Sequence, residues 1–442
     1  MSEALPSVGH VPALQVAEVD EPPVDPLVER LDQILADLSS AVADCSPATD
    51  ADRIDRIARL ERLRAVTAAL QAAECVRFAQ SQAAEQMAAD VHPKAIGRGI
   101  ADQIALACKL SPFAGSRRLN TARALWFDLP ATFAQLTAGE LSEQIAEIVV
   151  TETRHLDRAT RGDVEARIVA AGISEMGLTA AGTCARKHAY EADPQGYAQR
   201  GRTERKNRRV GIRPKPDTMA LLSCYLPVEQ GVACFASLKR HTDGLVAAGD
   251  MRTRDQIMAD TAVERLTGQA RAADVDIEIG LLMPLDSLTD PENSRTATIA
   301  GAGPLPGPLA REILMSSAGR KWWRRLFTAP YPSASGQIIG GDSFRRRFDG
   351  WLGKLITLRD DTCRDPFCDA VIRHLDHIVR HRDRGPTTFA NGRGSCARGN
   401  YVREMPGWRL DLVHTGLGSR PHTIQVTTPT GHRYLSHAPD PP

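Results

Sequence analysis

Apolar residues recur at three- and four-residue spacing through the first half of the chain, which predicts amphipathic helices. The clearest run comprises Ile54, Ile57, Leu60, Leu63, Val66 and Leu70. Ser46 and Pro47 precede this run and provide a predicted N-cap and first-turn proline. Because similar spacing continues to about residue 200, residues 26–335 are predicted to form a mainly α N-terminal domain with a small α+β middle portion.

Alternation of apolar and polar residues replaces the helical period in several later segments. Residues 274–279 predict a strand, and residues 333–344 have the alternation of a hairpin. Residues 345–361 predict a basic helix, and residues 422–436 predict two strands around a Pro-Thr-Gly turn. The predicted organisation is a disordered lead at 1–25, the mainly helical domain at 26–335, a small domain at 336–410, and a terminal hairpin and tail at 411–442.

Composition narrows the possible partners of the chain. Its 55 Lys+Arg nearly balance its 54 Asp+Glu, so no global attraction to nucleic acid or membrane follows. Residues 340–410 nevertheless carry more basic than acidic side chains, which is typical either of a phosphate-binding surface or of a solvated basic face. With no secretory signal and no apolar run long enough to cross a bilayer, we expect a cytoplasmic protein without a membrane partner. The oligomeric state is left open.

Cysteine usage points to a metal site near the C-terminus. The chain has nine cysteines, an odd number that argues against a fully paired disulfide framework. Three of them lie close in sequence, at Cys363, Cys368 and Cys396. Structural zinc takes four cysteine or histidine ligands, but the position three residues after the last cysteine is Gly399, which has no ligand atom. Either another side chain supplies the fourth ligand, with His374 and His381 as candidates, or the site no longer binds zinc.

A second group of polar residues lies between the cysteines. Asp376 and His377 are adjacent on a predicted strand, so their side chains should point to opposite faces unless the backbone turns there. A carboxylate beside an imidazole suits a hard divalent cation together with a general base. Asn391 and Asn400 add amide oxygens, one able to orient an imidazole and one able to join a metal.

These motifs resemble an HNH endonuclease of the bacterial 13E12-repeat family. The resemblance rests on the order of a cysteine pair, Asp-His, Gly-Pro-Thr, Asn, and a last cysteine followed by Asn400. Upstream, NRRVGIRPKPDTMALLS, RTRDQIMADT and AGAGPLPGPLARE fit the helical domain of unknown function that precedes the nuclease in that family. The resemblance spans about residues 28–438. It implies a C-terminal HNH ββα-metal domain with a terminal β-hairpin, and metal-dependent hydrolysis of DNA phosphodiester bonds.

The resemblance also implies roles for individual residues. His377 would be the general base, Asn391 would fix the loop and orient His377, and Asp376 and Asn400 would hold a divalent cation, Mg²⁺ or Mn²⁺. The zinc ligands would be Cys363, Cys368 and Cys396. This chain departs from the family at Gly399, where the family normally has cysteine or another ligand. The arginines placed to hold flanking phosphates are Arg373, Arg380, Arg382 and Arg384.

Two alternatives to an endonuclease remain open. In the first, the chain is a noncatalytic nucleic-acid-binding module with a degenerate zinc-knuckle HNH domain. In the second, it is an interaction protein whose helical domain binds the partner. Retention of Asp376, His377, Asn391 and Asn400 favours the enzyme over both.

Overall fold

The computed structural model describes residues 25–43, 47–271, 281–282, 296–299, 303–316, 346–416 and 420–439, with the backbone alone at 281, 282, 298, 299, 303, 314 and 316. Residues 1–24 of the lead predicted at 1–25, the predicted strand at 274–279 and the predicted hairpin at 333–344 lie outside the described residues. The chain divides into two compact units, residues 1–60 and 61–442. The domain boundaries at 335 and 410 therefore stay a prediction.

The first unit contains helix α1, Pro26–Val42, and the beginning of α2, Asp50–Ala88. Thr49 and Asp52 cap α2 reciprocally. The Asp52 carboxylate accepts the Thr49 N–H at 2.9 Å, and the Thr49 hydroxyl accepts the Asp52 N–H at 3.2 Å. The predicted N-cap Ser46 lies outside the described residues. Helix α2 begins at Asp50 rather than at Pro47, because Thr49 and Asp52 satisfy the free amides of the first turn there.

Helices make up most of the second unit up to residue 204. They are α3 (Ile100–Ala107), α4 (Pro112–Asp128), α5 (Pro130–Thr137), α6 (Glu143–Thr153), α7 (Arg158–Ala170), α8 (Leu178–Ala192) and α9 (Pro194–Glu204). Their shared core buries Leu129, Val164, Ile168 and Ala185 completely. The prediction of a mainly α region is confirmed. Among the described residues, no helix combines the length and apolarity needed to cross a membrane.

Small antiparallel sheets and helices alternate in the middle of the chain. The elements are β1 (Arg209–Pro214), β2 (Ala220–Tyr225), α10 (Val228–Ala247), α11 (Arg254–Thr267), β3 (Leu281–Leu282), β4 (Ala297–Ile299), β5 (Gly303–Leu305) and α12 (Gly307–Ser316). Strand β1 pairs with β2, and β4 lies between β3 and β5. A capping box of Thr253 and Gln256 begins α11, and Gly268 in the left-handed conformation ends it.

The C-terminal part begins with a helix and continues mainly with strands. Its elements are α13 (Gly350–Asp360), β6 (His374–His377), β7 (Gly392–Ser395), α14 (Ala397–Val402), β8 (Arg409–Thr415), β9 (His422–Thr427) and β10 (Arg433–His437). Strands β6 and β7 pair antiparallel, with Asp376 opposite Arg393, and α14 follows them. The predicted terminal hairpin is confirmed as β9 and β10. Strand β8 adds a third strand that was missed, because no turn motif marks its pairing with β9.

Helix α13 packs closely on β7. An apolar cluster of Phe348, Leu352, Leu355, Ile356 and Phe389 fills the space beneath the two strands. A Cβ added at Gly392 would overlap Cδ1 of Ile356 and lie 2.8 Å from Cε1 of Phe348. Glycine at this position therefore allows the close approach that aligns β6 and β7 with the cysteine-containing turn.

Candidate metal centre and basic cleft

Three buried cysteines form the candidate metal centre. The sulfur atoms of Cys363, Cys368 and Cys396 all lie within 4.8 Å of one another. The first two belong to the turn after α13, which is closed by a hydrogen bond from the Cys368 N–H to the Asp365 carbonyl oxygen at 3.0 Å. Cys396 is the N-cap of α14. The prediction that these three cysteines meet is confirmed, and we define them as the cysteine cluster.

The surroundings of the cysteine cluster suit a thiophilic cation. The Cys396 N–H donates to Sγ of Cys363 at 3.2 Å, and the Gly399 N–H donates to Sγ of Cys396 at 3.2 Å. Hydrogen bonds among the three thiols lower the pKa of Cys396 well below its usual value and, together with burial, raise the pKa values of Cys363 and Cys368, so Cys396 is the sulfur most readily held as a thiolate. Because the thiolate is the form that binds metal, three buried sulfurs with N–H donors fit a metal such as zinc.

A cleft of about 690 Å³ borders β6 and is strongly basic. Its lining includes five arginines, Arg346, Arg347, Arg373, Arg380 and Arg382, and three histidines, His374, His377 and His381. We call this the basic cleft. Three of the predicted phosphate-binding arginines line it, but Arg384 does not. Arg346 and Arg347 were missed, although their basic run was visible in the sequence, because that run was interpreted as the start of a helix that in fact begins at Gly350.

Asp376 and His377 both line the basic cleft although they are neighbours on β6. Oδ1 of Asp376 accepts the His377 N–H at 2.8 Å. Its Oδ2 contacts the guanidinium group of Arg403 and lies 3.7 Å from Nη2 of Arg393. Both arginines are buried, so the Asp376 carboxylate is already balanced by positive charge.

The imidazole of His377 is buried and held from several directions. Its Nε2 lies 2.9 Å from the hydroxyl of Thr387, and its ring packs on Phe348 with centroids 4.4 Å apart. The His381 ring follows at 5.6 Å. Burial lowers the pKa of His377 below its usual value; the Asp376 carboxylate opposes this shift, and Arg403 and Arg346 add to it. The imidazole is therefore neutral at neutral pH and able to accept a proton.

Asn391 fixes the loop that follows β6. Its Nδ2 donates to the carbonyl oxygens of Val379 at 3.0 Å and Pro386 at 2.8 Å, and its Oδ1 accepts the Val379 N–H at 2.8 Å. The predicted role in fixing the loop agrees with this geometry. The hydrogen-bond partner of the His377 ring, however, is Thr387. Thr387 belongs to the Gly-Pro-Thr motif, which is the sequence feature that could have identified it.

Asn400 is not among the residues that line the basic cleft. It lies on α14, where its backbone N–H donates to the Cys396 carbonyl oxygen at 3.1 Å. Glu404, which was not predicted as a site residue, lines the cleft instead. The structure thus brings Asp376 and His377 together but does not place the Asn400 amide in the same cavity.

The carboxylates of the basic cleft are already paired with arginines. Glu404 accepts from Arg380 and Arg382, each at 3.0 Å, and Asp376 is bound by Arg403. Within the described part of the chain, the cysteine cluster is the one group in which three His, Cys, Asp or Glu ligand atoms converge. Asp376 and Glu404 are therefore engaged by arginines in this conformation, so a divalent cation would have to displace these ion pairs, and no chemical step is assigned to one.

The fold and the cysteine cluster define the class as a mainly helical protein with a candidate C-terminal metal centre. Residues 57–285, just over half of the chain, match the family model described as Domain of unknown function (DUF222). The chain belongs to this family. The basic cleft and the cysteine cluster lie beyond the matched residues.

Curated relatives come from Mycobacterium tuberculosis. The chain is 29% identical to the uncharacterized protein Rv3776 over 149 residues, which is 32% of this chain and 24% of that protein. It is 28% identical to the uncharacterized protein Rv2100 over 158 residues, 34% of this chain and 26% of that protein. The chain thus spans about a quarter of the length of the curated relatives it matches. No solved structure matches the chain.

Proposed function

We propose that the chain is a DNA endonuclease of the HNH class, with the basic cleft as its phosphodiester-binding site. The observation that carries the proposal is the buried His377 imidazole, which lines an arginine-rich cleft beside Asp376. The resemblance of residues 363–400 to HNH endonucleases supports the same function. Dependence on Mg²⁺ or Mn²⁺, which that resemblance implies, is part of the proposal.

In the proposed reaction, His377 removes a proton from the water that attacks phosphorus, the P–O bond to the leaving alkoxide breaks, and the alkoxide takes up a proton from solvent. In the tautomer in which the Nε2–H of His377 donates to the Thr387 hydroxyl oxygen, Nδ1 carries the free lone pair and accepts the proton. The lowered pKa keeps the imidazole unprotonated at neutral pH, as a base requires. A positioned general base contributes about 10²–10⁴-fold to the rate.

The arginines of the basic cleft act on the phosphate. Guanidinium groups such as those of Arg346, Arg347 and Arg373 can donate charge-assisted hydrogen bonds to its nonbridging oxygens, whose negative charge grows during displacement. Contacts of this kind hold the backbone in place but do not read bases. We therefore expect affinity for DNA that falls with salt and depends little on base sequence.

We assign zinc to the cysteine cluster within the same proposal. Thiolates are preferred ligands of zinc, and the cluster joins the turn after α13 to the start of α14. A metal that crosslinks these two segments stabilises the C-terminal part of the chain. Its role is structural and is separate from the proton transfer at His377.

A second candidate function is nucleic-acid binding without cleavage. The observation that favours it is the ion pairing of Asp376 with Arg403 and of Glu404 with Arg380 and Arg382. These pairs leave a cleft that can bind phosphate but lacks free carboxylates for a catalytic cation.

Plasmid cleavage distinguishes the two candidates. The full chain is incubated with supercoiled plasmid in Mg²⁺, in Mn²⁺ and in EDTA, and DNA binding is measured in parallel. We expect nicking in Mg²⁺ or Mn²⁺, reduced about 100-fold or more in His377→Ala because the general base is lost. Salt-dependent DNA binding should be retained in that variant.

The matched control is His432→Ala, an exposed histidine in the turn between β9 and β10, which should cleave like the original chain. Binding without nicking under every metal condition would support the second candidate. Absence of both DNA binding and nicking would reject both functions.

A further inference from the structure

Asp365 occupies the space where a fourth metal ligand on α14 would lie. A Cβ added at Gly399 would overlap Oδ2 of Asp365, so the carboxylate fills the position of the missing side chain. The same oxygen lies 3.4 Å from Sγ of Cys363. Asp365 is one of the four residues between the first two cysteines, and only glycine at 399 leaves room for its carboxylate there.

These separations match the edges of a tetrahedral zinc site. With bonds of about 2.3 Å to sulfur and 2.1 Å to oxygen, ligands lie roughly 3.8 Å apart for two sulfurs and 3.6 Å for sulfur and oxygen. The sulfurs of Cys368 and Cys396 are 4.0 Å apart, and the oxygen–sulfur distance at Cys363 is 3.4 Å. Along these two of the six edges, binding of a metal needs the sulfur–sulfur separation to shorten and the oxygen–sulfur separation to lengthen, each by about 0.2 Å.

Arg393 orients the carboxylate of Asp365. Its Nη1 donates to Oδ1, so Oδ2 is the oxygen left to face the sulfurs. Carboxylates that bind metal typically have their other oxygen held in this way by a second group. Arg393 is fully buried, and its positive charge offsets part of the charge of three thiolates and one carboxylate around a doubly charged ion.

The two histidines that the sequence offered as substitutes lie elsewhere. His374 and His381 both line the basic cleft, and the His381 ring lies 5.6 Å from that of His377. Neither histidine belongs to the group of ligand atoms formed by the cysteines, and in this conformation Asp365 does not belong to it either. Of the three, Asp365 is the one that contacts a cysteine of the cluster, with Oδ2 at 3.4 Å from Sγ of Cys363, so a shift towards the other two sulfurs would bring it to the fourth position.

We propose that Asp365 Oδ2 is the fourth ligand of a three-cysteine, one-carboxylate zinc site, with Gly399 as the vacated position that admits it. This rests on the zinc assignment above and is independent of DNA cleavage. Asp365, from the turn between Cys363 and Cys368, then takes the place of the ligand that the family normally has at position 399 on α14, and the site still binds zinc.

The test measures zinc affinity by competition with a chromophoric chelator, using the full chain. We expect Asp365→Ala to weaken zinc binding on the order of tenfold or more, since one of four ligands is lost. The matched control is Asp369→Ala, an exposed carboxylate next to Cys368, which should bind zinc like the original chain. The double variant Asp365→Ala/Gly399→Cys should regain the affinity, because it moves the ligand back to α14.

Unchanged zinc affinity in Asp365→Ala would overturn the proposal, as would an original chain that binds no zinc at all. If Asp365→Ala does not fold, zinc X-ray absorption of the original chain decides. Coordination of zinc by three sulfur atoms and one oxygen atom would support the proposal, and any other set of zinc ligands would overturn it. None of these readouts depends on nuclease activity, so failure here and failure of the proposed function are distinguishable.

Discussion

Buried charged and polar side chains link the cysteine-containing turn to the C-terminal sheet. Arg364, 2% exposed, donates to Asp360 at 2.9 Å and to the carbonyl oxygens of His422 and Ser436 at 2.9 and 2.8 Å. Asp360 also accepts the Gly394 N–H at 2.7 Å. Because removal of one partner would leave the other charge buried and unpaired, these residues lock α13, β7 and β9 into one arrangement.

His422 belongs to the same buried set, although it lies at the start of the terminal hairpin. Its Nε2 lies 2.8 Å from the Ala390 carbonyl oxygen, and its Nδ1 lies 3.3 Å from Nη1 of Arg364. Only a neutral ring satisfies both neighbours. Burial, with repulsion from nearby arginines, lowers the pKa of His422 to about 3.

This lowered pKa predicts a loss of stability in acid. The ring takes up a proton more readily in the unfolded chain, with a pKa of about 6.5, so its contribution is complete above that pH and is lost as the pH falls towards 3. From this group, the free energy of unfolding should fall by at most about 1.4 kcal/mol for each pH unit. Urea unfolding at pH 7, 6 and 5 measures it. His422→Gln should be less stable at pH 7 but decline less steeply below pH 6.

The control for this prediction is His432→Gln, which changes an exposed histidine near the same sheet and should keep the original slope. A His422→Gln variant that declines as steeply as the original chain would contradict the argument.

At the scale of elements, the site depends on how α13, β6, β7 and α14 fit together. The register of β6 and β7 sets Asp376 opposite Arg393, which in turn reaches Asp365 in the cysteine-containing turn. Asn391 holds the connection between the strands, and Gly392 allows α13 to approach. The metal centre and the basic cleft therefore share one small framework, and a shift of β7 would disturb both.

Gly392→Ala tests this framework. The added methyl group would overlap Ile356 and crowd Phe348, and overpacking of this kind costs about 1–3 kcal/mol. Equilibrium unfolding in denaturant should show a loss of that size. The control is Gly211→Ala on β1, where an added Cβ has its nearest neighbour at 3.5 Å and should cost clearly less. Equal losses in the two variants would mean that close approach at β7 is unimportant.

At the scale of the molecule, the second unit joins the family's helical region to the C-terminal part. Arg398 on α14 binds the Asp102 carboxylate on α3 through two hydrogen bonds, at 2.6 and 2.8 Å. Thr430 donates to the Gln103 side chain at 2.8 Å, and Leu106 packs with Trp408. Since α14 begins at a cysteine of the cluster, the helical region supports the helix that contributes a metal ligand.

The pairing of Arg398 with Asp102 should be measurable as a coupling energy. In a double-mutant cycle on the free energy of unfolding, we expect Arg398→Ala and Asp102→Ala to be coupled by about 1 kcal/mol, because the pair is bidentate but partly exposed. If the two single-variant losses in free energy of unfolding add up to the loss in the double variant, the contact does not stabilise the packing of α14 on α3.

Local pattern predicted the helices, the terminal hairpin and the residues of the cysteine cluster. Each of those signals lies within a few residues: a 3.6-residue period, a turn motif, or cysteine spacing. The residues that were not predicted from the sequence meet their partners only through the tertiary fold. Thr387 reaches His377 through the fold of a loop, Arg403 reaches Asp376 from α14, and Asp365 meets Gly399 only after β6 and β7 have paired.

The sequence by itself thus determined the mainly helical class, the strands near the C-terminus and the chemistry available between residues 363 and 404. Only the tertiary structure decided which groups share a site. It gathered the three sulfurs, directed a carboxylate to the place left by Gly399, and set arginines against Asp376 and Glu404. The physical reason is that periodicity and spacing act along the chain, whereas ligand sets and charge pairs depend on packing between segments far apart in sequence.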